Sequence, residues 1–280
     1  MHRGLLIGIL TLTMSTLGFA QNSKWTTWET DADTLVAQEK YKKAIGLYSK
    51  IIKASHLKDK SDYRILYKRA VAYYSAGQWN PAIADISKFI AEFPQNFQAH
   101  ILRALVYREL DDIDKQLADI EAAVELTGLD TRLLHWRASL LMEKEEFEPA
   151  KEGFKLITKL EDSAEIELNL ALSYYSLQQT DSALMAVTRA IELDGTYEPA
   201  YYYGGAFAMD LERYDQALKF LEVAVRLDSE NLQALFYKGI ALVELKREEE
   251  GCRCLNQVFY KGIDEAADYL KQYCFDAFKD

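Results

Sequence analysis

Two series of small residues run through this chain with one period. Ala70, Ala104, Ala138, Ala171, Gly205 and Gly239 stand 34, 34, 33, 34 and 34 residues apart. Between them runs a second series, Ala44, Ala82, Gln116, Ala150, Ala183, Ala217 and Gly251, at nearly the same spacing, with Gln116 its one larger member. Chance would not hold two series in phase across most of 280 residues, so the chain is predicted to be a stack of equivalent units.

The side chains around each small residue identify the unit. Tyr73, Tyr107, Leu141, Tyr174 and Leu242 follow the first series by three positions, and Tyr48, Ile86, Ile120, Phe154, Val187, Leu221 and Leu255 follow the second by four. Three and four are the spacings that place residues on one helical face, and antiparallel helices approach closely only where a side chain is small. Each unit therefore reads as two helices. Composition agrees, since 49% of residues are hydrophobic and only 4 Pro and 13 Gly are available for turns. Unit one covers roughly Trp25 to Leu57, and the 38-residue interval from Ala32 to Ala70 predicts a loop lengthened around His56 to Ser61. Units two to seven are predicted to begin near Asp62, Asn96, Thr131, Ala164, Glu198 and Leu232. A last amphipathic helix, Asp264 to Phe278, with Ala267, Leu270, Cys274 and Ala277 on one face, would cover the final open face of the stack.

The most regular unit, Leu66 to Pro94, holds Leu66, Ala70, Tyr73, a break at Gly77, then Trp79, Ala82, Ile86, Phe89 and Pro94. These intervals resemble the tetratricopeptide repeat (TPR) pattern, and the resemblance extends over nearly everything after the first twenty residues. It implies an all-α fold, a right-handed α-solenoid (superhelix) of about seven helix-turn-helix repeats over 21–263 with a capping helix over 264–280. The family's first-helix tryptophan is replaced here by Leu66, His100, Leu134, Glu167, Tyr201 and Leu235. The resemblance also implies a concave groove lined by first helices. It would contain Tyr67, Val71, Tyr74, Ile101, Leu105, Arg108, His135, Met142, Leu168, Tyr175, Tyr202, Met209, Phe236 and Ile240, with an acidic edge at Glu109, Glu143, Asp210 and Glu244. An apolar, aromatic groove with that edge suits an extended peptide or a helix carrying apolar anchors and a few basic residues. The Lys, Asn and Arg clamp by which some TPR proteins grip a C-terminal carboxylate is missing, because the corresponding positions are mostly apolar or acidic.

The first twenty residues are of another kind. His2 and Arg3 precede an apolar stretch from Leu5 to Leu17, and Gly18-Phe19-Ala20 supplies a small-x-small cleavage site, so residues 1–20 are expected to be a signal peptide cut after Ala20. No other segment is long and apolar enough to span a bilayer. A net charge of −11 argues against nucleic acid, whose phosphates need clustered Lys and Arg. Chemistry is poorly provided for: His2, His56, His100 and His135 form no HExxH, and neither GxSxG nor a P-loop occurs. No catalytic residue, cofactor or metal is expected. Cysteines occur only at Cys252, Cys254 and Cys274. Cys274 can meet one of the other two in a disulfide locking the last helix in an oxidising compartment, or all three can remain small core residues. The expectation is an exported, periplasmic, non-catalytic scaffold for a protein or peptide partner; an alternative is a glycan or cell-wall binder that uses tyrosines as stacking platforms.

Overall fold

The structure, a computed structural model, describes residues 23–274. The expected signal peptide and the distal part of the expected terminal helix, with Ala277 and Phe278, lie outside the described residues. Fifteen α-helices are described, and no strand occurs among these residues. They are α1 (Ser23–Ala37), α2 (Tyr41–Ser55), α3 (Arg64–Ser75), α4 (Trp79–Glu92), α5 (Phe97–Arg108), α6 (Ile113–Thr127), α7 (Thr131–Glu143) and α8 (Phe147–Ile157). There follow α9 (Ala164–Ser176), α10 (Thr180–Leu193), α11 (Glu198–Asp210), α12 (Tyr214–Leu227), α13 (Leu232–Glu244), α14 (Glu248–Tyr260) and α15 (Ala266–Tyr273). The fold class is an all-α solenoid. Two compact units divide inside α7, at Leu140 and Leu141.

In the first unit each helix packs on the next from α1 to α6, and α3 also touches α5. The small series marks the closest approaches, with Ala44, Ala70, Ala82 and Ala104 fully buried. Around them close Tyr48, Leu66, Ile86 and Phe89, all at most 2% exposed. The extra residues after α2 form a structured bend rather than a plain loop. His56 and Leu57 take positive φ, and a 3₁₀ turn, Lys60–Tyr63, follows, closed by reciprocal bonds between Asp59 and Asp62.

A second periodic feature runs beneath these helices. Arg69 donates from Nε and Nη2 to Asp85 at 2.6 and 2.8 Å, and from Nη1 to Ser49. One repeat later Arg103 makes the same fork on Asp119 at 2.8 and 2.7 Å, and reaches Ser87. Hydrogen bonding to Asp119 pushes the Arg103 guanidinium further above its ordinary pKa. Arg137 holds the next place in this series, where the register sets Gly153 in the position of the acid, and its buried Nε has no hydrogen-bond partner. His100, one turn from Arg103 on the same face of α5, lies between Asp119 (3.1 Å) and the carbonyl of Pro94 (3.2 Å), so it is a buried structural histidine.

In the second unit the chain of contacts runs from α8 to α15, and first helices also touch one another, α9 with α11, α11 with α13 and α13 with α15. Gly205, Gly239 and Gly251 replace alanine here because the helices come closer. A Cβ on Gly251 would lie 2.6 Å from Val243 Cγ1 and 2.8 Å from the carbonyl oxygen of Gly239, which is backbone and cannot swing aside. Gly251→Ala is therefore expected to lose about 1–3 kcal/mol by overpacking. Gly46→Ala, where a Cβ meets nothing within 4 Å, should instead gain about 0.5–1 kcal/mol. Urea unfolding of both variants measures the contrast; equal effects of the two would refute the close approach.

The turn joining the two helices of each repeat is the same throughout. Glu39, Gly77, Asp111, Glu145, Gln178, Glu212 and Lys246 all take φ between 56° and 71°. The next amide bonds back to a carbonyl of the helix just ended, as from Gln78 to Tyr73 and from Arg247 to Leu242. Only one of these left-handed positions is a glycine. Between repeats, Asn96, Ser163 and Asn231 cap the helices that follow by accepting from Ala99, Ile166 and Ala234.

Candidate functional site

The first helices supply the candidate surface of each unit. In the first unit Tyr67, Val71 and Tyr74 are half-buried and pack on a core that includes Leu66, Phe89 and Leu102. Tyr67 leans on Phe89 and Tyr74 on Trp79, with ring centroids 5.2 and 5.6 Å apart. Ile101 and His135 are half-buried, whereas Leu105 is 3% exposed and offers a ligand almost nothing. Arg108 and Glu109 are exposed and pair with each other at 3.5 Å. This face carries apolar area, but much of it already serves the core.

The second unit is more open and more aromatic. Tyr175 is 37% exposed; its ring stacks on Phe207 at 4.4 Å and its hydroxyl donates to Asp210. That hydrogen bond, together with burial, pushes the Tyr175 phenol up to about 12. Phe207 contacts Tyr203, Tyr203 contacts Tyr202, and Tyr202 reaches Tyr237, with centroid separations of 6.0, 5.0 and 6.3 Å. From Tyr237 the series passes to Phe236 and on to Tyr269 and Tyr273 of α15. The result is an unbroken ladder of rings across α9, α11, α13 and α15. Asp210 is exposed near one end; near the other, half-buried Glu244 accepts from the Tyr273 hydroxyl at 2.7 Å.

The structure brings Tyr175, Tyr202, Asp210 and Glu244 to this ladder and places half-buried Met209 against the core beside it. Leu168, Phe236 and Ile240 are 4%, 8% and 6% exposed, so they back the surface rather than present it. Met142 is half-buried, with its sulfur 3.2 Å from the Ser173 hydroxyl, and Glu143 is exposed. Register position alone does not set the difference, since Tyr202 and Leu168 both stand three before a small residue and only Leu168 is buried; what differs is how far the neighbouring helices cover each. Sequence reasoning missed Tyr203, Tyr237, Tyr269 and Tyr273, and the buried Phe207 that links Tyr175 to them. The Tyr201-Tyr202-Tyr203 run was the available signal, since consecutive tyrosines on a helix must face several neighbours.

Among the described residues no group of three His, Cys, Asp or Glu is arranged to hold a metal, and no helix is long and apolar enough to cross a membrane. The cysteines are settled by facing. Cys252, 3% exposed, bonds Cys274, 1% exposed, with Cα atoms 5.7 Å apart, while Cys254 stays free and half-buried, its thiol pushed up by burial.

Known proteins give the same reading. The sequence matches the tetratricopeptide repeat family over residues 30–84, 67–130, 168–231 and 208–251, which together exceed half of the chain. The protein belongs to the tetratricopeptide repeat family. Among curated proteins it is 32% identical over 94 residues to a tetratricopeptide repeat and J domain-containing co-chaperone, DNJ1, of Cryptococcus neoformans. That match covers 34% of this chain and 17% of the co-chaperone, so the chain spans a small part of its relative's length. Among solved structures, the C-terminal part of a TPR repeat-containing protein of Cytophaga hutchinsonii aligns with a TM-score of 0.70 at 15% identity, covering 85% of this chain and 98% of the other. YrrB, described as a TPR protein with an unusual peptide-binding site, aligns with a TM-score of 0.56 at 20% identity, covering 67% and 97%. At those identities the likeness is one of fold. Proteins built from these repeats are typically non-catalytic and bind protein or peptide partners.

Proposed function

We propose that the protein is a non-catalytic TPR scaffold that binds a protein or peptide partner on the ring ladder of its second unit, in an exported, oxidising compartment such as the periplasm. The ladder carries this reading. Rings that a stable core would cover are left partly open on successive first helices, flanked by Asp210 and Glu244, and rigid aromatic surface with a charged rim is what peptide anchors use. Support for the compartment comes from the Cys252–Cys274 disulfide and from the apolar leader with its Gly18-Phe19-Ala20 site. A role in envelope assembly or maintenance accords with that placement.

The test is affinity capture from the native envelope, run beside binding to purified cell-wall polymer. Wild-type chain is expected to retain a discrete protein and no polymer. The Tyr175→Ala, Tyr202→Ala double variant, which removes only partly exposed rings, is expected to lose that protein about a hundredfold while keeping its helical circular dichroism. Retention on polymer, abolished by the same pair, would replace this reading with glycan stacking.

A further inference from the structure

We infer that Glu244, Tyr269 and Tyr273 form a subsite for one lysine or arginine side chain of the protein partner. This rests on the scaffold reading and adds the chemistry of one anchor. The Tyr273 hydroxyl donates to Oε1 of Glu244 at 2.7 Å, which leaves the carboxylate's remaining lone pairs for another donor. Tyr269 and Tyr273 lie nearly parallel, 6.4 Å apart and 13° between planes, and the edge contact of Phe236 with Tyr269 at 5.7 Å fixes them from behind. All three side chains of the subsite are partly exposed.

Two observations select a cation. A carboxylate beside the faces of aromatic rings attracts an ammonium or guanidinium by charge and by the ring quadrupole together, whereas a neutral side chain gains neither. Two other acids of the second unit already hold an internal base, Glu250 with Arg247 and Asp181 with Arg213. Among the described residues no lysine or arginine pairs with Glu244. The chain's net charge of −11 adds a long-range bias of the same sign.

The subsite depends on α15. One repeat earlier the phenol that bonds the acid comes from the preceding first helix, Tyr175 to Asp210. At the register position that would serve Glu244 stands Met209, so its phenol comes instead from Tyr273, on the helix that the Cys252–Cys274 bond fastens to α14. Titrating the full chain with Nα-acetyl-lysine amide, and separately with the neutral Nα-acetyl-norleucine amide, tests this through the aromatic NMR signals of Tyr269 and Tyr273. Saturable shifts are expected with the lysine probe alone, weakened about tenfold by Glu244→Gln and by reduction of the disulfide. Equal responses to the two probes, or a lysine response untouched by Glu244→Gln, would overturn the subsite, and one untouched by reduction would overturn the part assigned to α15. A chain that captures its protein but ignores the lysine probe refutes the subsite alone; one that binds the probe but captures no protein refutes the scaffold reading alone.

Discussion

Asp119→Ala is expected to destabilise the first unit by about 3 kcal/mol, toward the lower end of what breaking a buried ion pair costs. The Asp119 side chain is 5% exposed, accepts two bonds from Arg103 and faces Nδ1 of His100. Alanine would leave the guanidinium with Ser87 as its remaining partner at 3.1 Å and would remove the carboxylate that faces Nδ1 of His100. The cost arises from these stranded donors rather than from the worth of the pair, so Arg103→Met combined with Asp119→Leu should recover most of it. Glu249→Ala, which breaks a 3.8 Å contact to Arg253 between side chains 86% and 69% exposed, is the control and should fall within about 0.5 kcal/mol. Because a repeat array does not unfold strictly as one step, the quantity to follow is amide exchange of α5 and α6 beside urea unfolding. If Asp119→Ala costs no more than Glu249→Ala, the Arg–Asp lattice contributes nothing.

That lattice shows where sequence reasoning stopped. The 34-residue period placed the helices because it reports apolar burial, which drives folding more than any other force and recurs in every unit. The starts predicted at Thr131, Ala164, Glu198 and Leu232 coincide with those of α7, α9, α11 and α13. Arg69 and Arg103 recur with the same period, one residue before Ala70 and Ala104, yet charged residues on an amphipathic helix read as solvent-facing unless their partners are known. Those partners, Asp85 and Asp119, lie 16 residues on. The turns were hidden for a different reason. Left-handed φ is carried by Glu39, Asp111, Glu145, Gln178, Glu212 and Lys246, held there by bonds back to the preceding helix, so glycine punctuation marks only Gly77 of this set. At the candidate surface, the register identified which residues lie on first helices but not how far each next helix covers them. Tyr175 and Leu168 were therefore equivalent in sequence, and are 37% and 4% exposed in the structure.

Reduction of the Cys252–Cys274 disulfide, or its removal in Cys274→Ser, is expected to cost the C-terminal end of the second unit about 3 kcal/mol. The residues joined are 22 apart, and closing a loop of that size withdraws roughly this much entropy from the unfolded chain. Little else holds α15. It has eight residues, fewer than an isolated helix needs, and among them Ala266 alone is fully buried, with Tyr269, Leu270 and Tyr273 packed at the margin of the core. Amide protection of α15 should fall by roughly a hundredfold on reduction, while the core of α11 and α12 changes little, since in a stacked array each repeat feels mainly its neighbours. Thiol counting supplies an independent readout. The unreduced, denatured chain should show one reactive thiol, Cys254, and three after reduction, and Cys254→Ser should leave the protection of α15 unchanged. Three thiols before reduction would show that the link does not form. Unchanged exchange after reduction would show instead that α15 is held by the contacts of Tyr269 and Tyr273 with Phe236 and Glu244, in which case those aromatic contacts, and not the disulfide, fix the end of the ladder.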